Sequence, residues 1–152
     1  MGEKIIQVMA GTVGALGFSL LFNIRGKKLF PAAFGGFLSW SIFVIFEPLF
    51  ASEAVRYVIA TAALTFYAEI MARKAKCPAT VFQVSGAIPL IPGGSLYNTI
   101  NYAMVGQWDK FFNKAVDTFL LMVAIAVGIL SAMTFLNITR YFKERLVKLY
   151  SK

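Results

Sequence analysis

Between Thr80 and Gly106 the chain runs uncharged but not uniformly apolar. Pro89 and Pro92 lack the N–H that a helix needs, which leaves the carbonyls near Ser85 and Ile88 without their usual donors. Gly93 and Gly94 follow directly and remove the stiffness that remains. A helix here is expected to break between about Pro89 and Gly94 and to restart near Ser95, a good N-cap residue. The restarted half would aim free N–H groups and a partial positive charge at the break, which suits a carboxylate. The preceding half would end in free carbonyls, which suit an ammonium group or a proton carrier. Gln83, Ser85, Ser95, Tyr97, Asn98, Thr99 and Asn101 put polar side chains around the same segment. Asn98 and Asn101 share a helix face at i, i+3, as do Tyr97 and Asn101 at i, i+4. One proline would be read as a kink whose neighbouring amides glue helices together. Two prolines, two glycines and three amides in one segment favour a substrate pathway through Pro89, Pro92, Gly93, Gly94, Ser95, Tyr97, Asn98 and Asn101.

Other polar residues in apolar surroundings are fewer. Glu69 lies one helical turn before Arg73, with Thr65 and Thr61 on the same stripe. It is either the partner of that arginine or a carboxyl that carries protons through the membrane. Asn23, at the end of the first apolar block, caps a helix or reaches the pathway. Asp117 fits the acid favoured at a helix start, and Glu47 an exposed end.

Several chemistries are excluded. The sequence has no histidine, so no His-ligated metal and no His general base. A single cysteine, Cys77, forms neither a disulfide framework nor a Cys cluster. No phosphate-cradling glycine motif follows a strand pattern, because Gly93-Gly94 follows prolines. No metal, no cofactor and no catalytic residue is expected, and the chain is not read as an enzyme.

The elements that position these groups follow from composition. Of 152 residues, 59% are hydrophobic and 14% charged, against roughly 25% charge in a soluble domain. The apolar residues fall into five blocks: about Ile5–Ile24, Leu29–Phe46, Ala54–Ala72, Thr80–Gly106 and Ala115–Ile138. Each is long enough for a membrane helix of about 20 residues. A soluble bundle would need polar faces at helical period, and the first, second and fifth blocks have none. The expected fold is therefore an all-α membrane protein with five transmembrane helices, the fourth broken by the Pro89–Gly94 element. Residues 1–152 form one such domain.

The charge of +8 is distributed between the blocks, which points to membrane topology and not to nucleic acid. Arg25, Lys27, Lys28, Arg73, Lys74, Lys76, Arg140, Lys143, Arg145, Lys148 and Lys152 fall on one side of the five spans. Lys4, Arg56, Lys110 and Lys114 fall on the other. Cytoplasmic loops carry the excess of lysine and arginine, so the N-terminus is expected outside and the C-terminus in the cytoplasm. Residues 139–152 read as a basic amphipathic cytoplasmic tail, with Phe142, Leu146, Leu149 and Tyr150 toward lipid. Small residues four apart, Ala10/Gly14, Ala32/Gly36 and Ala124/Gly128/Ala132, mark faces where helices approach closely.

These residues also carry a resemblance. Gly17-Phe18 with Phe22-Asn23 closing the first span, Gly35-Gly36 in the second, and Ile88-Pro89-Leu90-Ile91-Pro92-Gly93-Gly94 followed by Tyr97 resemble the small subunit of the split threonine/serine exporter family. The resemblance covers essentially the whole chain, and the lack of a hydrolase-like extension fits the small subunit. It implies secondary transport of threonine and serine, or of a dicarboxylate such as succinate, driven by the proton motive force across the cell (inner or plasma) membrane. It also implies a larger partner subunit with five spans of its own, and copies of this chain could assemble too. Two alternatives stand beside this exporter: a scaffold whose partner holds the whole site, and a passive channel subunit.

Overall fold

The computed structural model describes the backbone of residues 2–150 and side chains from Gly2 to Lys143. The order is α1 (Gly2–Leu21), α2 (Leu29–Ile45), α3 (Glu53–Ala75), α4 (Thr80–Ala87), α5 (Gly93–Met104) and α6 (Trp108–Tyr150). One 3₁₀ turn, Gly26–Lys28, leads into α2, and another, Ile88–Leu90, follows α4. No strand occurs among the described residues. Four helices are long and apolar enough to cross a membrane: α1, α2 with its leading turn, α3 and α6. Neither α4, with 8 residues, nor α5, with 12, reaches that length alone.

Helix ends follow local chemistry. Asn23 closes α1 in the left-handed region (φ 58°), and the Ile24 N–H donates to Ser19 O at 2.9 Å. Ile24 is buried beyond it, as a Schellman closure favours. Lys76 closes α3 in the same way (φ 48°), with the Cys77 N–H donating to Ala72 O at 3.1 Å. Gly106 (φ 74°) closes α5, where the positive φ costs glycine nothing. Pro31 sits in the first turn of α2, where no N–H is needed.

Small residues set the packing. α1 and α2 run antiparallel: Lys4 pairs with Glu47 at 2.6 Å at one end, and Ala15 and Gly11 meet Gly36 further along. α2 and α3 are also antiparallel, with Phe43 on Tyr57 and Phe34 on Tyr67, whose hydroxyl donates to Pro31 O at 2.8 Å. α4 runs parallel to α2, and Gly35 and Gly86 bring the two backbones together. α3 and α6 run parallel too: Thr61 meets Gly128, Phe66 meets Phe135, and Glu69 meets Arg140. Thr99 and Thr118 tie α5 to α6 at 3.1 Å. The core comprises a cluster around Phe43, Tyr57, Leu90 and Leu121 and a second around Phe82, Ala32 and Ala68. Ile6, Val13, Phe119 and Leu130 are among many large apolar side chains left facing outward on α1 and α6.

α6 extends well past the fifth apolar block in both directions, from Trp108 to Tyr150. At 1.5 Å per residue its length is about 65 Å, roughly twice a hydrocarbon core. Helical backbone thus covers most of the expected tail. The side chains of 144–150, and residues 151–152 altogether, lie outside the described residues, so the lipid-facing pattern of Leu146, Leu149 and Tyr150 does too.

Candidate functional site

The interruption between α4 and α5 is a short, hydrogen-bonded detour. The Ile88 N–H bonds Ser85 O, so the carbonyl that Pro89 would have orphaned keeps a donor. The Ile91 N–H bonds Ile88 O at 3.2 Å, which does the same for the carbonyl facing Pro92. Ser39 reaches across from α2 and donates to Gly86 O at 2.7 Å. The two carbonyls expected to be freed by the prolines are therefore taken up locally by 3₁₀ bonds, and the Ser39 hydroxyl serves Gly86 O beside them.

α5 restarts earlier than Ser95. Its first residue is Gly93, and Pro92 occupies the cap position without a side-chain cap bond. Proline fixes its own φ, and that suffices to begin the turn. The Gly93 N–H bonds Ile91 O at 2.7 Å, and the first in-helix bond runs from the Leu96 N–H to Pro92 O at 3.0 Å. The amides of Gly94 and Ser95 precede that bond and have no in-helix acceptor. A side chain added at Gly93 or Gly94 would meet nothing within 4 Å, so this helix start opens outward.

The break lies level with the middle of the bundle. Pro89 packs against Gly11 and Gly36, near the midpoints of α1 and α2. Leu90 is fully buried in the cluster with Tyr57, Ala60, Leu121 and Ala124.

The polar residues divide into two sets. Ser85 and Gln83 lie on α4 inside the bundle, Gln83 only 7% exposed. Its amide nitrogen approaches Thr65 Oγ1 at 3.4 Å, and its Oε1 has no partner among the described residues. Tyr97, Asn98 and Asn101 lie on the outer side of α5, Tyr97 70% exposed. Ser95 and Thr99 are half-buried toward α6. The structure thus gathers Pro89, Pro92, Gly93, Gly94 and Ser95 at one break and places Tyr97, Asn98 and Asn101 along one open face below it. Asn23 is not brought there: it is exposed and closes α1.

Glu69 has the partner foreseen and one more. Arg73 Nε approaches its Oε1 at 3.4 Å, and Arg140 of α6 pairs with the same oxygen. The carboxylate thus ties α3 to α6. Sequence spacing reveals the i, i+4 arginine but not one 71 positions away. Also missed were Ser39, whose role depends on where α2 meets α4, and Trp40, whose indole N–H is buried without a partner among the described residues. Arg56, read only as an outer cation, lays its guanidinium over the Phe43 ring at 4.8 Å.

The family model described as Threonine/Serine exporter, ThrE matches residues 7–135, from the first turns of α1 through the interruption and into α6. The chain belongs to the threonine/serine exporter family. No curated protein and no solved structure matches it. Membership makes it a chain of a membrane exporter and not of an enzyme class, in keeping with four helices of membrane-crossing length. The matched range contains every residue of the break in this exporter-family chain, and Glu69 as well.

Proposed function

We propose that this chain is the smaller half of a two-component secondary exporter in the cell membrane, moving threonine, serine or a dicarboxylate outward with proton coupling. In this reading it is one domain of five spans, with the fourth crossing made jointly by α4, the 3₁₀ turn and α5. The parallel course of α3 and α6 supports that crossing: a chain that leaves α3 at one end must return before α6 can run the same way. The substrate pathway runs past Pro89, Pro92, Gly93, Gly94 and Ser95 and along Tyr97, Asn98 and Asn101. Asn23, remote from the break, acts through closing α1.

The observation that carries the reading is the open start of α5. Two amides without in-helix acceptors stand at mid-bundle height, next to glycines with free space around them. Such a helix start attracts a carboxylate, and all the candidate substrates bear one. That Tyr97, Asn98 and Asn101 face outward favours a site shared with the larger half over one enclosed by this chain.

Flux through vesicles containing this chain and the larger half, normalised to folded complex, tests it. Asn98→Leu and Tyr97→Phe should each raise the apparent KM by about tenfold or more, since a hydrogen bond to a charged group is worth roughly 1.5–3 kcal/mol. Unchanged kinetics would leave the scaffold alternative. Glu69 is the proposed coupling carboxyl, and the passive channel is the rival it addresses. Glu69→Gln should abolish uphill export while exchange persists, whereas Arg140→Gln, which removes only the tie to α6, should keep gradient dependence. Equal losses in both would mark Glu69 as a clamp.

A further inference from the structure

Among the described residues, α5 is the helix held mainly from a single side. It has no buried residue, and its principal packing partner is α6. Ser95, Leu96, Thr99, Tyr102 and Ala103 are partly covered along that contact. On the far side, Gly94, Tyr97, Asn98 and Asn101 follow one another at i, i+3, i+4 and i+7. All four are exposed, and a side chain at Gly94 would meet nothing. The outer surfaces of α1 and α6 are different: they present Ile5, Ile6, Met9, Val13, Phe119 and Leu130, which suit lipid.

A stripe of two amides and a phenol does not suit lipid. Thr99 of α5 is level with Thr118, one turn inside the apolar block of α6, so the head of the stripe at Gly94 and Tyr97 lies at membrane depth. Amides left without partners in hydrocarbon are costly, and in membrane bundles such groups bond across helices.

We infer that this stripe of α5 is the docking surface for the larger half of the exporter, which lays a helix bearing its own hydrogen-bonding side chains along Tyr97, Asn98 and Asn101. The inference rests on the two-component reading above and adds where the halves meet. The partner helix takes up one side of each side-chain amide and leaves the other for substrate, and the open backbone amides of Gly94 and Ser95 then face the seam between the halves. The site at the break is incomplete until the larger half is present.

Site-specific photo-crosslinking in the co-expressed complex tests this. Benzoyl-phenylalanine is placed at Tyr97, Asn98 or Asn101, and at Ile6, Val13 or Leu130 as lipid-facing controls. The three α5 positions should yield an adduct with the mass of the larger chain, and the controls should not. In parallel, Asn98→Leu combined with Asn101→Leu should lower co-purification of the larger chain several-fold while the variant itself stays folded in detergent. Adducts between two copies of this chain at α5, or larger-chain adducts at the α1 or α6 controls and not at α5, would overturn the docking surface while the two-component reading survives. Absence of any larger-chain adduct in a complex that still co-purifies overturns it as well. If the larger chain does not co-purify with the unaltered protein, the two-component reading itself fails, and this inference with it.

Discussion

Gly128 shows how much of the bundle rests on single atoms. A Cβ there would fall inside contact distance of Thr61 Oγ1 and 2.5 Å from Val58 O. The hydroxyl could turn aside, but Val58 O is backbone and cannot. Gly128→Ala should therefore destabilise the fold by about 1–3 kcal/mol, the usual cost of overpacking, and Thr61→Ala should restore only part of it. Thermal unfolding in detergent measures both. Lys4 and Glu47 offer a second test at this scale. The Lys4 ammonium bonds the Glu47 carboxylate and attracts it electrostatically, and both effects hold the carboxyl below its ordinary value of 4.5. A depressed acid stabilises the fold above that value and stops doing so as the pH falls through its lowered one. Glu47→Gln should thus lower the melting temperature at pH 7, and the difference should fade as the pH drops below 4.5 and be gone beneath the lowered value. A difference that persists there would show that charge is not the cause. At residue level the sequence was legible where the partner is local. Arg73 was visible from Glu69 at one turn, and Asn23 was visible as a cap. Arg140 and Ser39 were not, because spacing says nothing about which helices meet.

At the scale of elements, the interruption was legible because proline and glycine act on their own backbone, whatever surrounds them. Its detail was not. Ser95 looked like the cap, yet Pro92 takes that place three residues earlier. The polar residues looked like one group, yet Gln83 on α4 lies inward and Tyr97 on α5 outward. That division depends on which side of α5 meets α6, which no periodicity in a 12-residue helix fixes. The same geometry makes α5 the least supported helix. Regions with few buried contacts open at low free energy. In the chain purified alone, α5 amides should exchange hydrogen faster than those of α2, and adding the larger half should slow them. Exchange as slow as that of α2 in the isolated chain would contradict this.

For the whole molecule, the apolar blocks foretold an all-helical membrane fold, and four helices of crossing length answer to them. The family model covering residues 7–135 places that fold among threonine/serine exporters. Orientation is a separate expectation, resting on eleven cations that five spans would put on one side against four on the other. Cysteines placed near Lys27 and Lys74 should be labelled only from the cytoplasm, and one near Glu53 only from outside. Labelling of all three from one face would refute five spans in that arrangement.

The central claim is that the open backbone at the start of α5 is where substrate passes. Gly94→Leu tests it most directly, because space around Gly94 is empty and its φ is one any residue adopts. Leucine is also the better helix former, so the chain itself should fold at least as well. The measurement is export flux in vesicles holding both halves, normalised to assembled complex. The account predicts a loss of tenfold or more in flux with the complex intact. Full flux from an intact Gly94→Leu complex would contradict it.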